Sequence, residues 1–370
     1  PKLDIRSSLV PREVMISLKL DRLELEEEIQ RYQFMRVISS AKNVHLVYQE
    51  RPDKERSRFI EELVWEEEKK RNARMDFPVE RAAFAVQINP QLRSVPKTPA
   101  LLDFLGSFRF SATSINTYLK NPYEFYASYC LGLKENEDLL DEPDGRQIGN
   151  FIHELLKEAF TPLLKKPFVM DEEASQRLNK LFEKKFEAEF TRSMRSDAFL
   201  LKAVIAHRLK VFMDKEQDRA PLVSQILHIE QAFESAIPLS GRAVRCYSVV
   251  DRVDLLKDGT VCLIDYKTGG NDRLPKKDFD ASGGLSRELI FKDVSSFQMP
   301  LYYYFLSMAY PQARIQTQLY HLREARLEAF PKAPVAAHEE FLKPYLKALD
   351  FLITEIMDPQ KPFIDDDLAI

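Results

Sequence analysis

The stretch VVDRVDLLKDGTVCLIDYKTGG, residues 249–270, decides how the chain is read. Two runs rich in aliphatic and β-branched residues flank Lys257-Asp258-Gly259, and Asp-Gly between such runs is a strong hairpin signal. Side chains alternate along a strand, so Leu263, Asp265 and Lys267 share one face while Ile264 and Tyr266 share the other. Two charges therefore stand on a strand whose Val261, Leu263 and Ile264 belong in a core. Asp251 lies across the turn, so two carboxylates and an ammonium can meet at one end of this sheet. Carboxylates brought together repel and resist desolvation, and a divalent cation removes both penalties. Oxygen donors of this kind suit Mg²⁺ or Mn²⁺, which leave positions open for a phosphate oxygen. Lys267 beside them is suited to orient an attacking water or to stabilise transition-state charge. Taken alone, a D-x-K triplet is more often a surface ion pair at the rim of a hairpin.

Working outward, GRQIGNFIHELLKEAF (145–160) carries an apolar stripe of Ile148, Ile152, Leu155 and Ala159, with His153 at its edge. A single histidine there is more often structural than a ligand, but a site with two carboxylates has room for one imidazole. In SSFQMPLYYYFLSMAYP (295–311), Gln298 and Tyr302 stand one helical turn apart. Either Ser295 caps this helix with Gln298 as its capping-box partner, or the helix starts near Phe297. The second choice puts Pro300 in the tolerated first turn and frees Gln298.

The 370 residues suffice for two modest domains, and an apolar fraction of 45% belongs to a folded, soluble protein. No apolar run is long enough to span a bilayer. There is neither a signal segment nor a starting methionine, which predicts an excised or processed piece of a cytoplasmic protein. Cys130, Cys246 and Cys262 lack CxxC spacing, which argues against a zinc knuckle or a disulfide framework. With a formal net charge of −4, any polyanion must be met by local patches.

The periodicity predicts helices over 11–36 and 53–74, with Phe59, Leu63 and Trp65 near a common side, and a short strand at 43–49. The proline-rich 87–99 reads as a linker, dividing a mostly helical 1–90 from 91–370. Beyond it come a helix capped by Ser111 or Thr113, a break at Asn121-Pro122, and helices near 145–164, 172–194 and 198–218. Strands follow near 223–237, 243–256 and 260–267, then a helix at 297–310, a strand at 313–322 and a helix at 337–357. This order implies an α/β fold with a mixed sheet flanked by helices.

G-x-x-x-H on a helix, an Asp on a strand, D-Y-K-T-G on the next and Q-x-x-x-Y on a following helix, in that order, resemble the PD-(D/E)xK nuclease superfamily, specifically its RecB/AddB-like branch. The resemblance covers about 100–365. It implies a restriction-endonuclease-like fold and a Mg²⁺- or Mn²⁺-dependent DNase acting in DNA end processing and recombinational repair. Gly149 and His153 match the helical motif, with His153 implied as a metal ligand. VVDRVD resembles the family strand G-R-I-D-R-I-D, which favours Asp251 as the next ligand. Asp254 is the alternative, three residues on and so expected on the opposite face. Asp265 is implied as the second carboxylate, Tyr266 as the donor of a backbone carbonyl and Lys267 as the catalytic lysine. Gln298 and Tyr302 are implied to steady that lysine or touch DNA.

Many AddB-like members hold an iron–sulfur cluster through a cysteine where this chain has Asn121, and the later cysteines are also missing, so no cluster is expected. RYQFMRVISSAKNVHLVY and RSRFIEEL resemble the end of a UvrD-like helicase region, with Ser40 where that region has an arginine. No G-x-x-x-x-G-K-[ST] loop is present, so no ATPase activity is expected from this chain alone. DNA and a helicase partner are implied, with Arg273, Lys276, Lys277, Arg323 and Arg326 as candidate phosphate contacts. A nuclease-like scaffold that binds DNA or a helicase without cutting is the alternative; a purely structural α/β domain leaves the charges on the DYK strand unexplained.

Overall fold

The hairpin within residues 249–270 is the centre of the fold. In the computed structural model, β4 (Arg242–Leu256) and β5 (Val261–Lys267) pair antiparallel from Leu255↔Val261 to Arg252↔Ile264. Asp258 Oδ1 accepts the Thr260 N–H at 2.9 Å inside the turn. A longer strand, β3 (Val223–Leu239), runs antiparallel to nearly all of β4. Ser240 and Gly241 join them with φ of 44° and 74°, the two positive values that a type I′ hairpin demands.

The structure describes residues 26–46, 57–74, 93–133, 145–190, 198–269, 274–276 and 279–367. The chain divides into two units, Pro1–Pro90 and Gln91–Ile370. In the first, α1 (Glu26–Ser39) and α2 (Arg58–Arg71) are joined by stacking of Phe34 on Phe59 at 5.6 Å and by an Arg31–Glu62 ion pair at 2.8 Å. Trp65 departs from the common side expected for it: it is exposed, with Lys69 over its ring. The expected strand at 43–49 does not form over 43–46, which pair with no strand among the described residues; 47–49 lie outside them. The same holds for 11–25 and 53–56 of the expected helices.

The second unit begins earlier than the expected linker ends. β1 (Ser94–Val95) pairs with β8 (Phe363–Ile364), and Thr98 Oγ1 caps α3 (Pro99–Ser107), whose Pro99 sits at the tolerated first position. β2 (Phe110–Ser111) leads into α4 (Ala112–Lys120), which Ser111 caps reciprocally with Ser114. Asn121 then ends α4, and its Oδ1 caps α5 (Pro122–Phe125) while its Nδ2 donates to Asp365 at 2.8 Å. Next come α6 (Gly145–Phe160), α7 (Glu172–Glu189) and α8 (Ala198–Arg219). After β5 follow α9 (Arg287–Asp293), α10 (Gln298–Ala309), β6 (Ile315–His321), β7 (Arg326–Val335) and α11 (His338–Met357). β7 and α9 were not legible in the sequence: prolines 331 and 334 mask β7, which is tolerated because it is an edge strand.

The mixed sheet runs β2-β4-β5-β6-β7, with β3 on the other side of β4 and β5 parallel to β6. Two cores form, one on each face. Val250, Val253, Val261 and Leu263 pack toward α3, α4, α10 and α11, whereas Cys262, Ile264 and Tyr266 pack toward α6, α7 and α8. Alternation slips once on β4. Val250 and Val253 both enter the first core, while Arg252 lies between the rings of Phe160 and Phe168 on the second side, 4.6 and 4.7 Å from their centroids. Because of that slip Asp251 and Asp254 both meet the α6–α8 layer, correcting the expectation that they face opposite ways.

Asp254 is fully buried in an ion network. Arg252 grips it with Nε at 2.7 Å and Nη2 at 2.9 Å, and reaches Glu216 on α8 at 2.6 Å, while Arg219 pairs with both acids. The two arginines outweigh burial and hold the Glu216 carboxyl below its usual range. Removing one partner of such a network leaves uncompensated buried charge. Arg252→Ala is therefore expected to cost about 3–5 kcal/mol in urea unfolding. A loss under about 1 kcal/mol, the size of an exposed pair, would show that the network is not integral to the fold.

Candidate active site

Beyond Arg252↔Ile264 the β4–β5 ladder stops, although both strands continue. Asp251 Oδ2 takes up the freed backbone N–H of Tyr266 at 2.7 Å, and its Oδ1 stands 3.1 Å from His153 Nδ1. His153 reaches the strand because α6 comes in close one turn earlier: a Cβ on Gly149 would lie 3.1 Å from Thr268 Oγ1, tighter than most packing allows. A third acid joins from β3. Glu230, opposite Asp251 across the hairpin and in left-handed backbone with φ 48°, offers an oxygen in a group with His153 and Asp251 whose ligand atoms all lie within 4.8 Å.

Asp265 faces the other way, toward α10, and is 3% exposed. Its Oδ1 accepts from Gln298 Nε2 at 2.8 Å and from the Tyr302 hydroxyl at 3.1 Å. Its Oδ2 forms an ion pair with Lys267 Nζ at 2.9 Å that lacks hydrogen-bond alignment, leaving that buried oxygen without a directed donor. Lys267 Nζ donates to Gln298 Oε1 at 2.9 Å. Gln298 thus clamps both charged residues, and it also donates to Tyr302 at 2.8 Å. It is free to do so because α10 starts at Gln298: Ser295 is not its cap, and Pro300 falls in the first turn.

The site carries more negative charge than it balances. Burial, then the charge of Asp251 working against that of Lys267, pushes Asp265 up to about 6. Burial and Asp251 likewise raise Glu230. Burial opposes charge on His153, but its hydrogen bond to Asp251 and the surrounding acids raise it. His153, Glu230 and Asp251 form one donor group, and Asp265, close enough to Asp251 to feel its charge, adds a buried oxygen without a directed donor. Carboxylate oxygens with one imidazole fit Mg²⁺ or Mn²⁺.

The structure therefore brings His153, Asp251, Asp265, Lys267, Gln298 and Tyr302 together and sets Asp254 apart behind them. Glu230 was missed; its signal was its place in the strand run preceding the hairpin. Of the candidate phosphate contacts, Lys276 pairs with Asp293, Arg326 with Glu324 and Glu328, and Arg323 is partly buried. Arg273 and Lys277 lie outside the described residues.

The model of the PD-(D/E)XK nuclease superfamily matches residues 109–367. The chain belongs to that superfamily. Its members generally use divalent metal ions. An uncharacterized protein of Rickettsia bellii is 25% identical over 185 residues, which are 50% of this chain and 21% of that protein. An ATP-dependent helicase/deoxyribonuclease subunit of Streptococcus pyogenes serotype M49 is 23% identical over 190 residues, 49% of this chain and 16% of that one. The chain thus matches about a fifth or less of these relatives. No helix among the described residues is long and apolar enough to cross a membrane.

Asp265 binds its proton more tightly folded than unfolded, so its contribution to stability is full below about pH 4 and is lost as pH rises through about 6. In EDTA, thermal unfolding should show wild type losing more stability across this window than Asp265→Asn. Adding Mg²⁺ at pH 7.5 should then raise the wild-type Tm more than the variant's. Parallel curves for the two proteins would refute the shifted carboxyl.

Proposed function

We propose that this nuclease-family chain is a metal-dependent deoxyribonuclease module of a helicase–nuclease, hydrolysing DNA phosphodiester bonds in end processing and recombinational repair. The observation that carries the reading is Asp265 and Lys267 clamped by one side chain, Gln298, beside Asp251 and His153. His153, Asp251 and Asp265, with the Tyr266 carbonyl and Glu230, would hold the cation. A divalent cation there neutralises phosphate charge and makes a water more acidic.

The chain's own residues do the rest. Lys267, fixed by Gln298 and Asp265, orients the attacking water and offsets charge on the phosphoryl oxygens. The water oxygen bonds to phosphorus as the bond to the leaving sugar oxygen breaks; the water gives up a proton and the leaving oxygen gains one. Tyr302, whose pKa burial and Asp265 drive well above its usual value, stays protonated and donates to that carboxylate.

The Streptococcus relative is named as part of a helicase/deoxyribonuclease, which supports a helicase partner and a reading of 1–90 as a helicase-like remnant. On the same reading the protein is cytoplasmic, holds no iron–sulfur cluster and does not hydrolyse ATP by itself.

Cleavage of labelled single- and double-stranded DNA, with Mg²⁺, Mn²⁺ or EDTA, tests the proposal. Wild type should cut only with metal, and Lys267→Ala should lose about 100-fold or more. Cutting in EDTA, or equal rates for the two proteins, would contradict it.

A further inference from the structure

The clamp made by Gln298 depends on where α10 begins, and its N-cap residue does not fix that start. Its N-cap is Phe297, which has no side-chain acceptor, and the Ser295 before it sits in left-handed backbone at φ 60°. A non-glycine residue holds that conformation only when its surroundings determine it. The determinant comes from a different helix. Asn116 on α4 accepts the Phe297 N–H through Oδ1 at 2.8 Å and donates through Nδ2 to Ser296 Oγ at 2.9 Å. Ser296 Oγ in turn accepts the Gln298 N–H at 3.2 Å. One half-buried amide thereby takes up the Phe297 N–H directly and holds the Ser296 hydroxyl that takes up the Gln298 N–H, a task normally left to the N-cap side chain.

α4 is a firm platform for this task. Its Ser111–Ser114 capping box, its fully buried Ile115 and Leu119, and the 3.0 Å hydrogen bond from Tyr118 to Glu355 fix it to the core. From Asn116 the connection runs through Phe297 and Ser296 to Gln298, and from Gln298 to Lys267 and Asp265. We propose that Asn116 is a positioning residue: it touches no reacting group, but it sets the register of α10 so that Gln298 holds Lys267 and Asp265 in working geometry. The catalytic meaning of this rests on the nuclease reading; the positioning itself does not.

Two measurements on the full chain separate the two. First, with selective ¹⁵N-glutamine labelling and the Gln298 side-chain amide signal assigned by its loss in Gln298→Ala, Asn116→Ala should displace that signal. Ser296→Ala should displace it in the same direction by less. Asn116→Asp, which keeps the acceptor for Phe297, should stay nearer wild type, and Thr117→Ala, one residue along α4, should leave it in place. Second, Asn116→Ala should lower kcat for DNA cleavage roughly 10- to 100-fold with KM unchanged. In a Gln298→Ala background the same substitution should change kcat less than about twofold, because both act through one clamp.

A Gln298 signal unmoved by Asn116→Ala, or moved equally by Thr117→Ala, overturns the inference, as does an additive double mutant. If wild type does not cut with any metal, the nuclease reading fails, while the amide signal still decides whether Asn116 positions Gln298.

Discussion

Everything at this site follows from where Asp251 is held as two strands part, with Glu230 on one side of it and Asp265 on the other. Within the ladder, backbone groups satisfy one another and side chains are left to pack. Where the ladder stops, the Tyr266 N–H needs an acceptor and Asp251 supplies it. That single bond pins a carboxylate at the mouth of the sheet, within reach of a helix on each side. Burial first, and then the charge of Asp251, displace Asp265 and Glu230 upward, and together they are a standing demand for positive charge.

The protein meets the demand differently in two places a few residues apart. Behind the slip in β4, the fully buried Glu216 and Asp254 are neutralised by Arg219 and by Arg252, which aromatic rings enclose. That network fixes α8 to the hairpin and leaves no room for exchange. In front of the slip, the acids face His153 and Lys267, with Lys157 acting on Glu230, and Gln298 divides its amide between the opposite charges rather than cancelling either. One cluster is satisfied within the chain; on the proposed reading the other receives a cation. The residues Asp251-Arg252-Val253-Asp254 contribute to both, which is why a one-residue slip matters so much.

Much of this was legible beforehand. The hairpin strands, read as 243–256 and 260–267, form as Arg242–Leu256 and Val261–Lys267 because Asp-Gly and alternation fix a register locally. The grouping of His153, Asp251, Asp265, Lys267 and Gln298 followed from spacing on helices and strands and from resemblance. What escaped depended on tertiary context. Glu230 joins the group only through cross-strand placement opposite Asp251 in left-handed backbone, and Asn116 acts on a hydroxyl 180 residues away. The shared face of Asp251 and Asp254 needed a break in alternation that no periodicity announces. β7 stayed hidden because its prolines argue against a strand, and only its edge position excuses them.

The central claim is that the acids at the splayed end of β4 and β5 hold a divalent cation beside Lys267. A crystal structure of the chain grown with Mn²⁺, with anomalous scattering recorded at the manganese edge, tests it most directly. The account predicts an anomalous peak coordinated by His153, Asp251 and Asp265, lost in Asp265→Ala. A peak held by other groups, or none at saturating Mn²⁺, would contradict it.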